Sequence, residues 1–388
     1  MKHESDEKDW FALRILLSGM LGMVVAMGIG RFAFTPILPL MQRDLGMINS
    51  VAGWLAGLNY LGYLAGAVGC SFAPRLLRRA AVVGGAWALS LGTTFFMGTT
   101  LSVFWWGSMR LVGGVASAVL FIAISAEIAE TLARRGYGHW IGSLYGGIGF
   151  GIALSGLSVP LLDMTGGWSG SWIGMGILAA LLAVAGTFLG RGRDKIRPAS
   201  TGESSKGGLR RIRPLAAAYF FEGLGYVVTA TFIVAIIAVT PGLESFAPYS
   251  WVAVGLAAVP STVFWPWLAR RVGAKRALLS AYVLQSAGIL VSIGADTIVE
   301  VLFAAVSFGG TFLGIVALTL AEGSRRSPGE GGRAAAILTA CFSVGQMLGP
   351  VFAGILADFR EGFALPLVLA ASCVLAGAVF IALDRRYQ

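Results

Sequence analysis

Three charged residues stand where charge is costly. In Met27-Gly-Ile-Gly-Arg-Phe-Ala-Phe-Thr-Pro36, Arg31 lies near the middle of a run with no other charge between Arg14 and Arg43. As helix, the 28 intervening residues would reach ~42 Å, more than the ~30 Å hydrocarbon core of a bilayer. A guanidinium at that depth costs at least ~2.5 kcal/mol and must face protein partners or a water-filled cavity. Its planar fork of donors suits carboxylate or phosphate. It could also serve only to tie helices together through backbone carbonyls. Arg110 sits inside a second apolar run, with the same two readings. Glu222 is the only acidic residue, of nineteen, well inside such a run, ~12 Å past its Pro214 entry. A carboxylate removed from water readily carries a proton unless a cation holds it ionised.

Around these charges the sequence offers polar groups able to line a cavity: Tyr60, Tyr63, Tyr145, Tyr226 and Gln346, with Asn59, Tyr219 and Gln285. A buried hydroxyl or amide seeks a partner, so each could equally be structural. Glu127, Glu130, Asp163, Glu300, Glu322 and Asp358 fall near run ends, where solvated or loop-gating roles are adequate. Nothing resembles a catalytic acid, base and nucleophile cluster, so no enzyme and no cofactor are expected. Cys70, Cys341 and Cys373 lack metal or redox spacing, and His139 adds no metal ligand set.

The elements that must position these residues follow from composition. With 56% hydrophobic and 12% charged residues, against about a quarter charged in soluble domains, the chain reads as an all-α polytopic membrane protein. Apolar runs give twelve transmembrane helices at roughly 11–41, 49–73, 80–100, 103–128, 139–162, 171–190, 214–240, 250–269, 276–295, 298–321, 333–357 and 362–383. The first residues read as a short solvated tail without a signal-peptide cleavage pattern. The net charge of +10 does not indicate nucleic acid. Of 29 Lys and Arg, 25 fall on one side by alternate loops, with Arg43 and Arg360 opposite and Arg31 and Arg110 between. That bias puts both termini in the cytoplasm. Trp105, Trp106, Trp251, Trp265 and Trp267 near run ends fit interfacial belts. Gly62-x-x-x-Gly66, Gly142-x-x-x-Gly146, Gly147-x-x-x-Gly151 and Gly345-x-x-x-Gly349 read as close helix packing.

The polar, basic segment 191–213 divides the chain near its centre. It reads as a cytoplasmic linker between a six-helix half at 1–190 and a second at 214–388. A weak repeat at an offset of about 195 pairs Gly28-Ile-Gly30 with Gly223-Leu-Gly225, Gly113-Gly114 with Gly309-Gly310, and Gly151 with Gly345. Parallel repeats of this kind place substrate sites near the midplane between the halves.

Leu268-Ala-Arg-Arg-Val-Gly-Ala-Lys275 resembles the major facilitator loop signature between the second and third helices of a half, with Arg270 at its acidic position. Gly69-Cys-Ser-Phe-Ala-Pro-Arg-Leu-Leu-Arg-Arg79 is a degraded counterpart, and Arg110-Leu-Val-Gly-Gly114 resembles the fourth-helix motif. Met27 to Met41, with Tyr219-Phe-Phe-Glu-Gly-Leu-Gly-Tyr226, resembles the YbfB/YjiJ-type branch of that superfamily. The resemblance implies the major facilitator fold, with two pseudo-repeated six-helix halves, and a secondary transporter.

The expectation is a monomeric, bacterial inner-membrane transporter of a small organic anion, coupled to protons. Arg31 binds the anion, with Arg110, Tyr60, Tyr63, Tyr145, Tyr226 and Gln346 lining the site. Glu222 carries the proton and neutralises Arg31, the two charges meeting across the cavity. The alternatives are multidrug-type efflux of amphipathic or cationic compounds, and a non-transporting membrane sensor or lipid-binding scaffold.

Overall fold

A chain this apolar must satisfy its backbone internally, which helices do, and among the described residues there is no strand. The structure, a computed structural model, describes residues 2–190, 211–328 and 330–387. The expected linker lies outside them except at 211–213.

The first helix, α1 (Lys2–Met23), runs back through the stretch expected to be a solvated tail. At Val24–Ile29 it loosens into a π-helical turn, and α2 (Phe34–Leu45) begins after it. Gly30 N–H donates to Val25 O at 2.9 Å and Arg31 N–H to Met27 O at 3.1 Å, so the backbone bonds change length of reach just where Arg31 sits. Pro36 supplies no N–H one turn further on, which removes a bond from the first turn of α2. Such π-turns are rare and concentrate at functional positions.

Then follow α3 (Asn49–Phe72), α4 (Ala80–Phe96), α5 (Val103–Arg134), the short α6 (Ile141–Leu144) and α7 (Gly146–Leu189). The remaining helices are α8 (Arg213–Ala238), α9 (Ala247–Val272), α10 (Ala274–Val291), α11 (Ile298–Arg326), α12 (Gly331–Phe359) and α13 (Ala364–Leu383).

By length and apolarity ten stretches of the described residues can cross a membrane, not the twelve expected. The differences have plain causes. One stretch, Gly138–Leu189, is 52 residues long and takes in the runs 139–162 and 171–190. At ~1.5 Å per residue it would measure ~78 Å, well over a ~30 Å core. It folds back at Gly167, whose φ of 61° and ψ of −152° suit glycine, so that Leu162 lies against Gly174. The run 276–295 corresponds to α10, which is not among the ten; Lys275, Arg276, Gln285, Ser280 and Ser286 dilute its apolar character.

Two segments form the centre. The apolar windows of Asp9–Leu45 and Arg213–Ala238 are 72% and 78% buried, against 22% for Ala80–Thr99. They touch where the Thr35 hydroxyl donates to Ala230 O at 2.6 Å. Around them α3 packs on α12 and α7 on α9. Glycine lets these backbones close up: a Cβ on Gly53 would lie 2.2 Å from Pro350 O. Three of the expected glycine pairs pack closely, as at Gly62, where a Cβ would lie 2.0 Å from Leu111 O, whereas Gly142 and Gly146 have room for a Cβ, their nearest atoms lying 3.4 and 3.5 Å away.

Other expectations are corrected by burial. Trp106, Trp251 and Trp265 are interior, and two of them donate from Nε1 to backbone, Trp106 to Met97 O and Trp265 to Gly310 O; Trp105 and Trp267 are exposed. Glu322 is not solvated. It is buried and paired with Arg326 at 2.6 Å and Arg325 at 2.8 Å, while Arg326 also pairs with Asp384. At the opposite end Arg43 bridges Asp44 at 2.6 Å and Asp163 at 2.8 Å on the surface. There Asp358 of α12 accepts from the first backbone N–H groups of α3, Asn49 at 2.9 Å and Ser50 at 2.7 Å.

Candidate functional site

Because Arg31 leaves the break between α1 and α2, its side chain is delivered inward to where the two central segments meet α3 and α12. It is 5% exposed. The guanidinium lies over the rings of Tyr63 at 4.2 Å and Tyr60 at 4.5 Å, both from α3, with Phe32 at 5.7 Å. Nη2 donates to Gln346 Oε1 of α12 at 3.1 Å. The amide of Gln346 in turn donates to the hydroxyl of Tyr226 on α8. Nε has no partner. The rings provide cation–π attraction to a desolvated cation, yet among the described residues no carboxylate pairs with Arg31 or Arg110. An arginine cannot shed its proton to escape this. The site is therefore electropositive, and its directional donors are only partly used.

Arg110, also 5% exposed, does something different. Its Nη2 donates to the backbone carbonyl of Arg31 at 3.4 Å and its Nε to Leu55 O at 3.5 Å, with the guanidinium 4.8 Å from the Phe34 ring. It braces the broken backbone on which Arg31 stands. Asn59 donates to Arg110 O at 2.9 Å, joining α3 to the same brace. Tyr145 is half-buried and one ring removed. Its ring is 5.7 Å from Phe121, which is 6.5 Å from Tyr63.

Glu222 and Arg31 do not meet. The Glu222 side chain is 0% exposed, and neither carboxylate oxygen has a hydrogen-bond partner. The expected pairing came from matching heights along two helices, which fixes depth but not direction around the axis. On α8, Glu222 points towards α10, where Gln285 faces it. One turn earlier in both helices Tyr282 donates to Ala218 O at 3.3 Å. Both amide atoms of Gln285, itself 0% exposed, are also unpartnered. Glu222 is one turn from Tyr226 on α8, and so adjoins the far end of the polar chain from Arg31.

Sequence reasoning missed the rings beside Tyr226. Phe308 and Phe312 of α11 and Phe342 of α12 lie with it in nearly one orientation. Tyr226 is 5.3 Å from Phe342 at 10° and 6.1 Å from Phe312 at 9°. Phe308 and Phe312 are 5.4 Å apart at 9°, and Tyr219 stacks on Phe342 at 4.2 Å. Four-residue spacing of Phe308 and Phe312 on one helix face was the available signal. No group of three His, Cys, Asp or Glu among the described residues could hold a metal.

A bundle of long apolar helices, broken at its centre to hold a desolvated cation among polar and aromatic groups from separate helices, is the architecture of a membrane transporter. The chain belongs to the family described as uncharacterised MFS-type transporter YbfB, whose model matches residues 23–383. No curated protein matches it. In fold it is similar to the crystal structure of a single-residue mutant of nucleoside transporter NupG, with a TM-score of 0.74, 15% identity, and coverage of 96% of this chain and 99% of that one. It is similar also to the crystal structure of nucleoside transporter NupG without that substitution, at 0.74, 13%, 96% and 98%.

Proposed function

We propose that the protein is a proton-coupled secondary transporter of a small organic anion, working by alternating access between two six-helix halves, 1–190 and 214–388, joined by the linker 191–213. The observation that carries the anion is the desolvated Arg31 guanidinium, which among the described residues has no carboxylate partner and an unused Nε donor. An anion replacing Gln346 Oε1 would take two donors from the guanidinium fork.

The two-half reading, with twelve helices once Gly138–Leu189 is divided at Gly167 and α10 is counted, is supported by counterparts. Thr35 touches Ala230, which is 195 residues away, as contact with one's own repeat mate on a pseudo-two-fold axis requires. A Cβ on Gly114 would lie 2.1 Å from Asn59 O, and one on Gly309 2.2 Å from Val254 O; each member of the second contact stands 195 after its equivalent. By the same offset Tyr226 is the counterpart of Arg31. With 25 of the 29 basic residues on one side, both termini are cytoplasmic in a bacterial inner membrane, and the protein acts as a monomer.

Coupling in this reading runs through the Tyr226 end of the polar chain. A carboxyl buried this deep is tolerated when it carries the proton itself, and in this reading Glu222 carries the proton while it faces Gln285 of α10. Losing the proton favours arrangements that bring water to α8 and loosen the Tyr226, Gln346 and Arg31 chain. Arg110 then positions Arg31, while Tyr60, Tyr63 and, behind Phe121, Tyr145 line the anion's path. In proteoliposomes, Glu222→Gln is expected to keep substrate exchange and lose accumulation driven by a pH gradient, and Arg31→Ala to lose both. The screen would use carboxylates, phosphonates, amino acids and cations. Full driven uptake by Glu222→Gln would refute the coupling.

A second reading is a neutral planar solute, as the name of nucleoside transporter NupG would suggest; the Gln346 and Tyr226 pair favours it. Uridine uptake unaffected by Arg31→Ala would select it. The two buried arginines disfavour efflux of cations.

A further inference from the structure

We infer that the solute held at Arg31 carries a planar aromatic ring, seated flat against the array of Tyr226, Phe312 and Phe342, with its anionic group on the guanidinium. The inference rests on the anion reading above and adds the other half of the molecule to it.

Three observations carry it. The rings come from three different helices, α8, α11 and α12, yet the angles between neighbouring members of the array are 9° to 17°. Aromatic cores commonly mix offset-stacked with edge-on pairs; Phe32, which meets Phe312 at 68°, is edge-on here. At centroid separations of 5.3–6.1 Å these near-parallel rings form an offset stack, and a flat ring entering beside Tyr226 would extend it in the same orientation. The array also begins where the cation is, because Tyr226 contributes its ring to the wall and its hydroxyl to the chain ending at Arg31. Finally, Tyr60 and Tyr63 already present their faces to the guanidinium. An acid that combines a carboxylate with a ring thus matches, in order, the donor fork and the parallel stack. A saturated acid of equal size would find the same fork but gain no stacking.

The test compares matched probes on purified full-length protein by ligand-induced thermal stabilisation: benzoate against cyclohexanecarboxylate, and 3-phenylpropionate against 3-cyclohexylpropionate. The aromatic member of each pair is expected to bind about five- to tenfold more tightly. Phe312→Leu should bring that ratio close to one, and Phe312→Tyr should restore it. Phe308→Leu serves as a second variant should Phe312→Leu fail to fold. Equal binding of both members, abolished by Arg31→Ala, overturns the ring inference and leaves the anion reading standing. Absence of binding by every acid overturns both.

Discussion

Arg31 shows how much a single residue's surroundings decide. Buried with aromatic faces on one side and one amide oxygen on the other, it keeps its fork geometry but has no counter-ion among the described residues. Arg31→Lys should therefore preserve charge and lose the paired donors. Given about 1.5–3 kcal/mol for a hydrogen bond to a charged group, substrate affinity is expected to fall roughly 10- to 100-fold, read by equilibrium binding. Arg110→Ala acts on the same site from below. With the Arg31 carbonyl left without that donor, transport should fall. Both arginines and Glu222 were legible in the sequence, because charge in an apolar run is conspicuous. Their partners were not. Gln346 lies 315 residues from Arg31 and stood among several polar groups of equal promise, and the direction in which Glu222 points depends on helix rotation that no spacing rule gives.

At the scale of elements, the break between α1 and α2 is held from outside. A Cβ on Gly28 would come within 2.5 Å of Gly151 Cα and 2.9 Å of Gly151 C, so the two backbones would have to part. Gly28→Ala should destabilise the protein by about 1–3 kcal/mol, the usual cost of overpacking, lowering its melting temperature in detergent. Gly69→Ala, with nothing within 4 Å of its would-be Cβ, is the silent control. Asp358 is a second case: it caps the start of α3 from the end of α12. Asp358→Ala should cost about 1 kcal/mol, in line with other lost N-caps, and expose a cysteine placed at Ser50 to thiol reagents. The reversal at Gly167 falls in the gap left between 162 and 171, where glycines and Trp168 interrupt the apolar run. The π-turn was not legible, since glycine and proline mark a disturbance without specifying its form. Nor was the interior placement of Trp251, because a tryptophan near a run end is read the same way whether a neighbouring helix covers it or lipid does.

For the whole molecule, the proposed halves are expected to hold together without their covalent link. A protease site placed within 191–213 and cleaved after purification should leave two fragments that co-elute and still exchange substrate, since the contacts between α3 and α12 and between α7 and α9 do not involve the linker. Separation of the fragments on cleavage would count against the division. The contact of Thr35 with Ala230 has a mechanical meaning in that arrangement. A point that touches its own counterpart sits on the rotation axis, so it is the fulcrum of any see-saw between the halves. Spin labels near it should report one distance in every stage of the cycle, while pairs at the two membrane faces lengthen and shorten in opposition. Arg31, one helical turn from that fulcrum, then travels least of all the groups that face the solute: the cargo is weighed at the pivot while the lever arms move around it.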